Sequence, residues 1–146
     1  VIGFEAERAA EDLVEEPCRL VVNPEHEVGM HSSAAAAVDA VAVEADALVI
    51  MLADMPLVSA TMLEAIQEEY LDSAGRLVLS RYGEVTAPPT LFDRSLFPHL
   101  QSMKGGTLKP LVERFRSEAS VIDWSPRLLR DIDTQEDFDA LLDRGE

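Results

Sequence analysis

Cysteine occurs once in this chain, at Cys18, which excludes an internal disulfide and any metal centre built from several thiolates. No apolar run reaches the roughly 20 residues needed to span a bilayer. No basic segment followed by an apolar stretch reads as a secretory signal. Lysine is confined to Lys104 and Lys109; the other cationic side chains are arginines. Glycine-rich phosphate loops of the P-loop or GxGxxG kind are absent. No Ser–His–Asp or Cys–His arrangement is legible, and His26, His31 and His99 do not fall at metal-ligand spacing. These absences predict a cytoplasmic protein with no membrane segment.

Acid dominates what remains. The formal net charge is −16, and 47% of residues are hydrophobic. Such a charge repels nucleic acid and anionic membranes, so neither is an expected partner. An acidic chain that binds a polyphosphate needs a divalent metal or a local cluster of basic residues. With 146 residues, a single domain with its own core is expected over 1–146.

Strands and helices alternate along the chain. Val1–Phe4 reads as the tail of a strand, Glu5–Val14 as a helix, and Arg19–Asn23 as a short strand stopped by Pro24. Ser32 or Ser33 is a natural N-cap for an alanine-rich helix running to about Val43. Asp46–Leu52 reads as a central strand buried on both faces. Ser59 caps a helix over Ala60–Asp72, with Gly75 as its stop. Arg76–Tyr82 is a strand and Gly83-Glu84 a turn. Val85–Leu91 carries Pro88-Pro89 and so reads as an edge strand or loop. Asp93 caps a short helix through Leu100, Gly105-Gly106 breaks the chain, and a helix follows from Thr107 to about Arg116. Ala119–Trp124 is a strand, Leu128–Asp133 a short extended piece, and Thr134 caps a last helix over Gln135–Leu142. The alternation predicts an α/β fold: a Rossmann-like, mainly parallel sheet with helices on both faces. A strand at residue 1 with no helix before it leaves that sheet lacking its first strand–loop–helix unit.

The stretch Ala47-Leu48-Val49-Ile50-Met51-Leu52-Ala53-Asp54-Met55-Pro56 carries the clearest chemical signal. An apolar run ends in a lone carboxylate, and Pro56 cannot continue a ladder. Asp54 therefore emerges at the C-terminal end of a strand, where open α/β sheets place ligands. Capping the next helix is the competing role, for which Ser59 is better placed. Asp131 and Asp133 lie where a second apolar extended segment stops. Two carboxylates with water and phosphate oxygens suit Mg2+; turn and cap duties before Thr134 compete with that role. Gly29-Met30-His31-Ser32-Ser33 offers unpaired backbone N–H groups at a helix start to an anion or a base edge. Lys104-Gly105-Gly106-Thr107 with Lys109 is the only lysine cluster, open to phosphate contact or to service as a flexible connection.

Taken in order, Asn23-Pro24, Gly29-Met30-His31-Ser32-Ser33, Leu52-Ala53-Asp54-Met55-Pro56-Leu57-Val58, Ala87-Pro88-Pro89-Thr90-Leu91-Phe92 and Asp131-Ile132-Asp133-Thr134-Gln135-Glu136-Asp137 resemble the MobA-like nucleotidyltransferases. Within them the molybdenum-cofactor cytidylyltransferase branch is the nearest in pattern. The resemblance implies a single MobA-like domain that transfers a nucleotidyl group from CTP or GTP to molybdopterin, releasing pyrophosphate. It implies Mg2+ as cofactor, Asp54 as catalytic residue and main metal ligand, and Asp131 or Asp133 as the second acidic ligand, with Asp133 the catalytic partner. Gly29, Ser32 and Ser33 would lie along base and ribose, and Ala87 to Thr90, including Pro89 and Thr90, along the acceptor. A molybdenum hydroxylase is an implied partner. The family's LAAGxSxRxG segment has no counterpart here, so an N-terminally truncated member, inactive by itself, is expected. The alternative is a degenerate, non-catalytic relative that binds partners during molybdoenzyme maturation; a sugar or other alcohol phosphate is the alternative acceptor.

Overall fold

The alternation of strands and helices carries through into the computed structural model of the chain, which describes residues 1–142. In chain order the elements are α1 (Ala6–Asp12), α2 (Met30–Val41), β1 (Ala47–Ile50), α3 (Ala60–Asp72), β2 (Leu77–Tyr82), β3 (Val85–Asp93), α4 (Phe97–Gln101), α5 (Lys109–Phe115), β4 (Ala119–Trp124) and α6 (Gln135–Leu142). The four strands form one sheet in the order β1-β3-β2-β4. β2 pairs with β4 in parallel and with β3 antiparallel, so the sheet of this α/β fold is mixed. Among the described residues, no helix is long and apolar enough to cross a membrane.

The chain divides into two units. The first comprises Val1–Leu48 and Asp93–Ser117; the second comprises Val49–Phe92 and the chain from Glu118 onward.

In the first unit the expected N-terminal strands reduce to isolated parallel bridges, Ile2 with Val22 and Gly3 with Glu5. Ile2 N donates to Val21 O at 2.9 Å, and Asn23 N donates to Ile2 O at 2.8 Å. Helix α2 begins at Met30, two to three residues before the serines expected to cap it. Gly29, at φ 125°, turns the chain into the helix and has no side chain to cap it. Ser32 and Ser33 thus sit inside the first turn. α2 packs against α4, and the buried side chains include Val38 on α2 with Phe97 and Leu100 on α4. Asp93 caps the turn before α4 as expected, accepting from Ser95 N at 2.8 Å.

In the second unit β2 carries the core: Leu77, Val78 and Leu79 have no exposed surface. α3 packs on β2 and β4, burying Met62 and Ile66, and is capped as expected by Ser59, whose Oγ accepts from Met62 N at 3.3 Å. Two expectations change. The apolar run through Met51 is not a strand buried on both faces: β1 is four residues long, half-buried throughout, and terminal in the strand order. The run is longer than its strand because Leu52 and Met55 leave the sheet to join a separate cluster with Met62 and Tyr82.

The proline-bearing stretch is likewise not an edge. β3 lies between β1 and β2. The β2–β3 ladder slips between Leu79 and Ser80: Thr90 pairs with Leu79, Ala87 pairs with Ser80, and Pro88 and Pro89 stand outside the register. A bulge is where a sheet interior tolerates residues without an N–H. The carbonyls freed by the slip accept side-chain donors instead, Pro89 O from Ser80 Oγ at 2.7 Å and Pro88 O from Tyr82 Oη at 2.9 Å. Burial raises the Tyr82 pKa by disfavouring the phenolate, the opposite direction to its contact with Ser80. The tyrosine thereby stays a donor.

Candidate nucleotide and metal site

The predicted site residues fall into two groups, one in each unit. In the second unit, Asp54 sits in a turn just after β1, exposed to solvent. The turn is held from below by its neighbours: Met55 is buried with Met62 and Tyr82, and Leu52 and Val58 pack on the same cluster. That cluster also takes Trp124 from the end of β4 and Leu128 and Leu129 from the segment that follows. Apolar burial therefore draws the chain around Asp54 and the chain before Asp131 onto one patch. The two segments meet directly, because Ile132 N donates to Asp54 O at 2.9 Å. Ile132 lies between Asp131 and Asp133, both exposed, so a backbone hydrogen bond brings the stretch carrying these two carboxylates against Asp54.

A tight 3-10 turn over Pro126–Leu128, started by Ser125, whose side chain accepts from Arg127 N, leads into the segment expected to be extended, and Leu129 has extended backbone. Beyond the aspartates, Thr134 and Asp137 cap α6 reciprocally. Asp137 Oδ2 accepts from Thr134 N at 3.0 Å and from its hydroxyl at 2.6 Å, while Thr134 Oγ1 accepts from Asp137 N at 3.2 Å. The Thr134 hydroxyl is the main cause of a lowered Asp137 pKa, with smaller help from backbone N–H groups and Arg130. Capping thus falls to Thr134 and Asp137, which leaves Asp131 and Asp133 without that duty.

Carboxylates are hard oxygen donors, the type that suits Mg2+ or Mn2+. Among the described residues no group of three His, Cys, Asp or Glu side chains is placed to hold a metal. One or two carboxylates are nonetheless enough for Mg2+, which keeps several waters and takes the rest of its shell from substrate phosphates. Asp54 with one later aspartate fits that donor count. On β3, Pro89 and Thr90 are buried, whereas Ala87 and Pro88 are partly open to solvent.

In the first unit, Gly29, Ser32 and Ser33 are joined by a residue whose role the sequence hid. Asn23 is 4% exposed. Its Nδ2 donates to Ser32 Oγ at 2.9 Å and Ser33 Oγ at 3.0 Å, and its Oδ1 accepts from Glu25 N at 2.9 Å. The Ser32 hydroxyl in turn faces Gly29 O at 2.8 Å and Glu25 O at 2.9 Å. An Asn before Pro24 reads as a strand stop; nothing local shows that it reaches ten residues ahead.

His31 also belongs here. It is buried, its Nε2 accepts from Gly105 N at 3.0 Å, and its own N–H donates to Gly106 O at 3.4 Å. With Nε2 an acceptor, the neutral ring carries its proton on Nδ1, which is buried without a partner. A Cβ at Gly29 would stand 3.3 Å from that Nδ1 and from Gly106 O, a tight fit, and the positive φ favours glycine there.

Comparison with known proteins identifies the family and the fold. The family described as MobA-like NTP transferase domain matches residues 1–120. No curated protein matches the chain. Among solved structures, Rv0371c from Mycobacterium tuberculosis H37Rv is 27% identical with a TM-score of 0.75, over 97% of this chain and 73% of that one. A manganese complex of Rv0371C superposes with a TM-score of 0.71 at 23% identity, covering 97% and 74%. The molybdopterin-guanine dinucleotide biosynthesis protein A from Archaeoglobus fulgidus gives 0.66 at 17% identity, covering 95% and 74%. The chain belongs to the MobA-like NTP transferase domain family, whose general activity is nucleotidyl transfer from a nucleoside triphosphate.

Proposed function

We propose that this protein transfers a nucleotidyl group from CTP or GTP to the phosphate of molybdopterin. An acceptor phosphate oxygen bonds to the α-phosphorus, the α–β phosphoanhydride bond breaks, and pyrophosphate leaves with the electron pair. Family membership supports the transfer, and the observation that carries the site is the hydrogen bond from Ile132 N to Asp54 O. The manganese bound by the Rv0371C relative supports a divalent cation, here taken as Mg2+. When bound, such an ion neutralises phosphate charge and stabilises the departing pyrophosphate.

Asp54 is the main ligand in this reading, and Asp131 or Asp133 the second, with Asp133 the catalytic partner. In the first unit, Gly29, Ser32 and Ser33 orient base and ribose, on a backbone fixed by Asn23. The Ala87–Thr90 stretch lines the acceptor side through Ala87 and Pro88, while Pro89 and Thr90 hold it from beneath. Positioning of this kind supplies much of the rate in phosphoryl transfers.

Isothermal titration with CTP, and separately GTP, in the presence of Mg2+ tests this reading. Asp54→Asn should weaken Mg2+-dependent binding by tenfold or more (about 1.4 kcal/mol or more). Equal heats for the two proteins would remove Asp54 from the metal site. The alternative reading is a non-catalytic relative that binds a molybdenum hydroxylase or its maturation factor. Pyrophosphate release from any of the four ribonucleoside triphosphates would rule it out.

A further inference from the structure

Five arginines, Arg8, Arg76, Arg81, Arg94 and Arg116, pair with a carboxylate. Lys104 and Arg114, like Arg19, Lys109, Arg127 and Arg130, form no ion pair among the described residues, although 28 acidic side chains stand against 12 basic ones. Both line one cavity of about 280 Å3 in the first unit, between α4 and α5, and no carboxylate lines it. A cationic hollow without acid is unexpected in a chain of charge −16 unless an anion is to occupy it.

The cavity is held in shape from behind. Buried Phe115 lies 5.0 Å from the His99 ring, centroid to centroid, and 5.2 Å from the Arg114 guanidinium carbon. A cation over an aromatic face at that distance is attracted to it, so Arg114 is preoriented. On the facing wall, Gly105 and Gly106 follow Lys104 with φ 77° and 80°, a path open to glycine, and both are tied to His31 by hydrogen bonds. Lys104 therefore extends from a fixed turn. Leu111 and Met103 add apolar surface.

We propose that this cavity binds the phosphate group of a small molecule through Lys104 and Arg114, with His99 as a further donor. The guanidinium offers a fork of N–H groups matched to phosphate oxygens, and the ammonium a point charge, together suited to a dianion. The volume lies just below that of ordinary ligand pockets, which run from about 300 Å3 upward, so it suits a phosphate with a short attachment and not a whole nucleotide. The phosphate comes from a nucleotide or from a separate phosphomonoester. The inference does not depend on the metal role of Asp54.

The test is a titration of the isotope-labelled, metal-free protein followed by nuclear magnetic resonance, with inorganic phosphate, pyrophosphate and CTP as separate ligands. The amides of Lys104, Gly105 and Arg114 should shift. Isothermal titration of Lys104→Ala and Arg114→Ala should show affinity lowered about tenfold each, as expected for losing a charge-assisted hydrogen bond. Arg114→Lys should fall between, and Arg127→Ala, outside the cavity, should match wild type. Shifts with inorganic phosphate place the free anion or a phosphomonoester there; shifts with CTP alone assign the nucleotide. No shift at these amides with any of the three ligands in the wild-type protein would overturn the proposal, as would full affinity in the folded double variant.

Discussion

Asn23 shows what one buried polar side chain can organise. Its amide uses three hydrogen bonds to fix the loop before α2 and the two serines inside the first turn. Asn23→Ala removes the acceptor for Glu25 N and the donor for both hydroxyls in a place water reaches poorly. Leaving such groups unpaired costs about 1–3 kcal/mol, which urea unfolding should detect as a lowered midpoint. A midpoint equal to wild type would mean that water replaces the amide. Asp54 is the opposite case: its prominence at the end of an apolar run is legible from sequence, while the strand before it stops at Ile50 and leaves it in an exposed turn. Its contact with Ile132 is not legible, since a backbone hydrogen bond across such a sequence distance leaves no residue-type signal.

At the scale of elements, caps and periodicity were readable because their physics is local. Ser59 before α3, Asp93 before α4 and Thr134 before α6 all cap where the residue types predict. The reciprocal Thr134–Asp137 pair makes the start of α6 sensitive to acid. A carboxylate whose folded pKa is lowered favours the folded state above its unfolded pKa and loses that contribution as pH falls through the folded value. Amide protection in the first turn of α6 should therefore weaken below the ordinary aspartate range, and Thr134→Ala should flatten this dependence; hydrogen exchange across a pH series would measure both. β3 reads from sequence as an edge or loop because proline rules describe a regular ladder. The slip at Ser80, with Ser80 and Tyr82 supplying donors to the proline carbonyls, is a property of two strands together.

Across the whole molecule, charge sets the response to salt. The paired carboxylates are at or near the surface, where such pairs contribute about 0–1 kcal/mol each, while a net charge of −16 repels itself. Screening shortens that repulsion to about 10 Å at 0.1 M salt. The thermal midpoint at neutral pH should rise between low and moderate sodium chloride; a fall would show that the attractive pairs outweigh the repulsion. Sequence alone determined the α/β class, most of the elements and their caps, and the identity of the acidic residues, because period, turn chemistry and charge act between neighbours in the chain. Only the tertiary structure decided that the β2–β3 ladder bulges at its prolines, that Asn23 holds the two serines, and that Leu52, Met55, Leu128 and Leu129 share one apolar cluster. The burial and hydrogen bonds that decide these features join residues far apart in sequence, and such pairings exist only once the chain has folded.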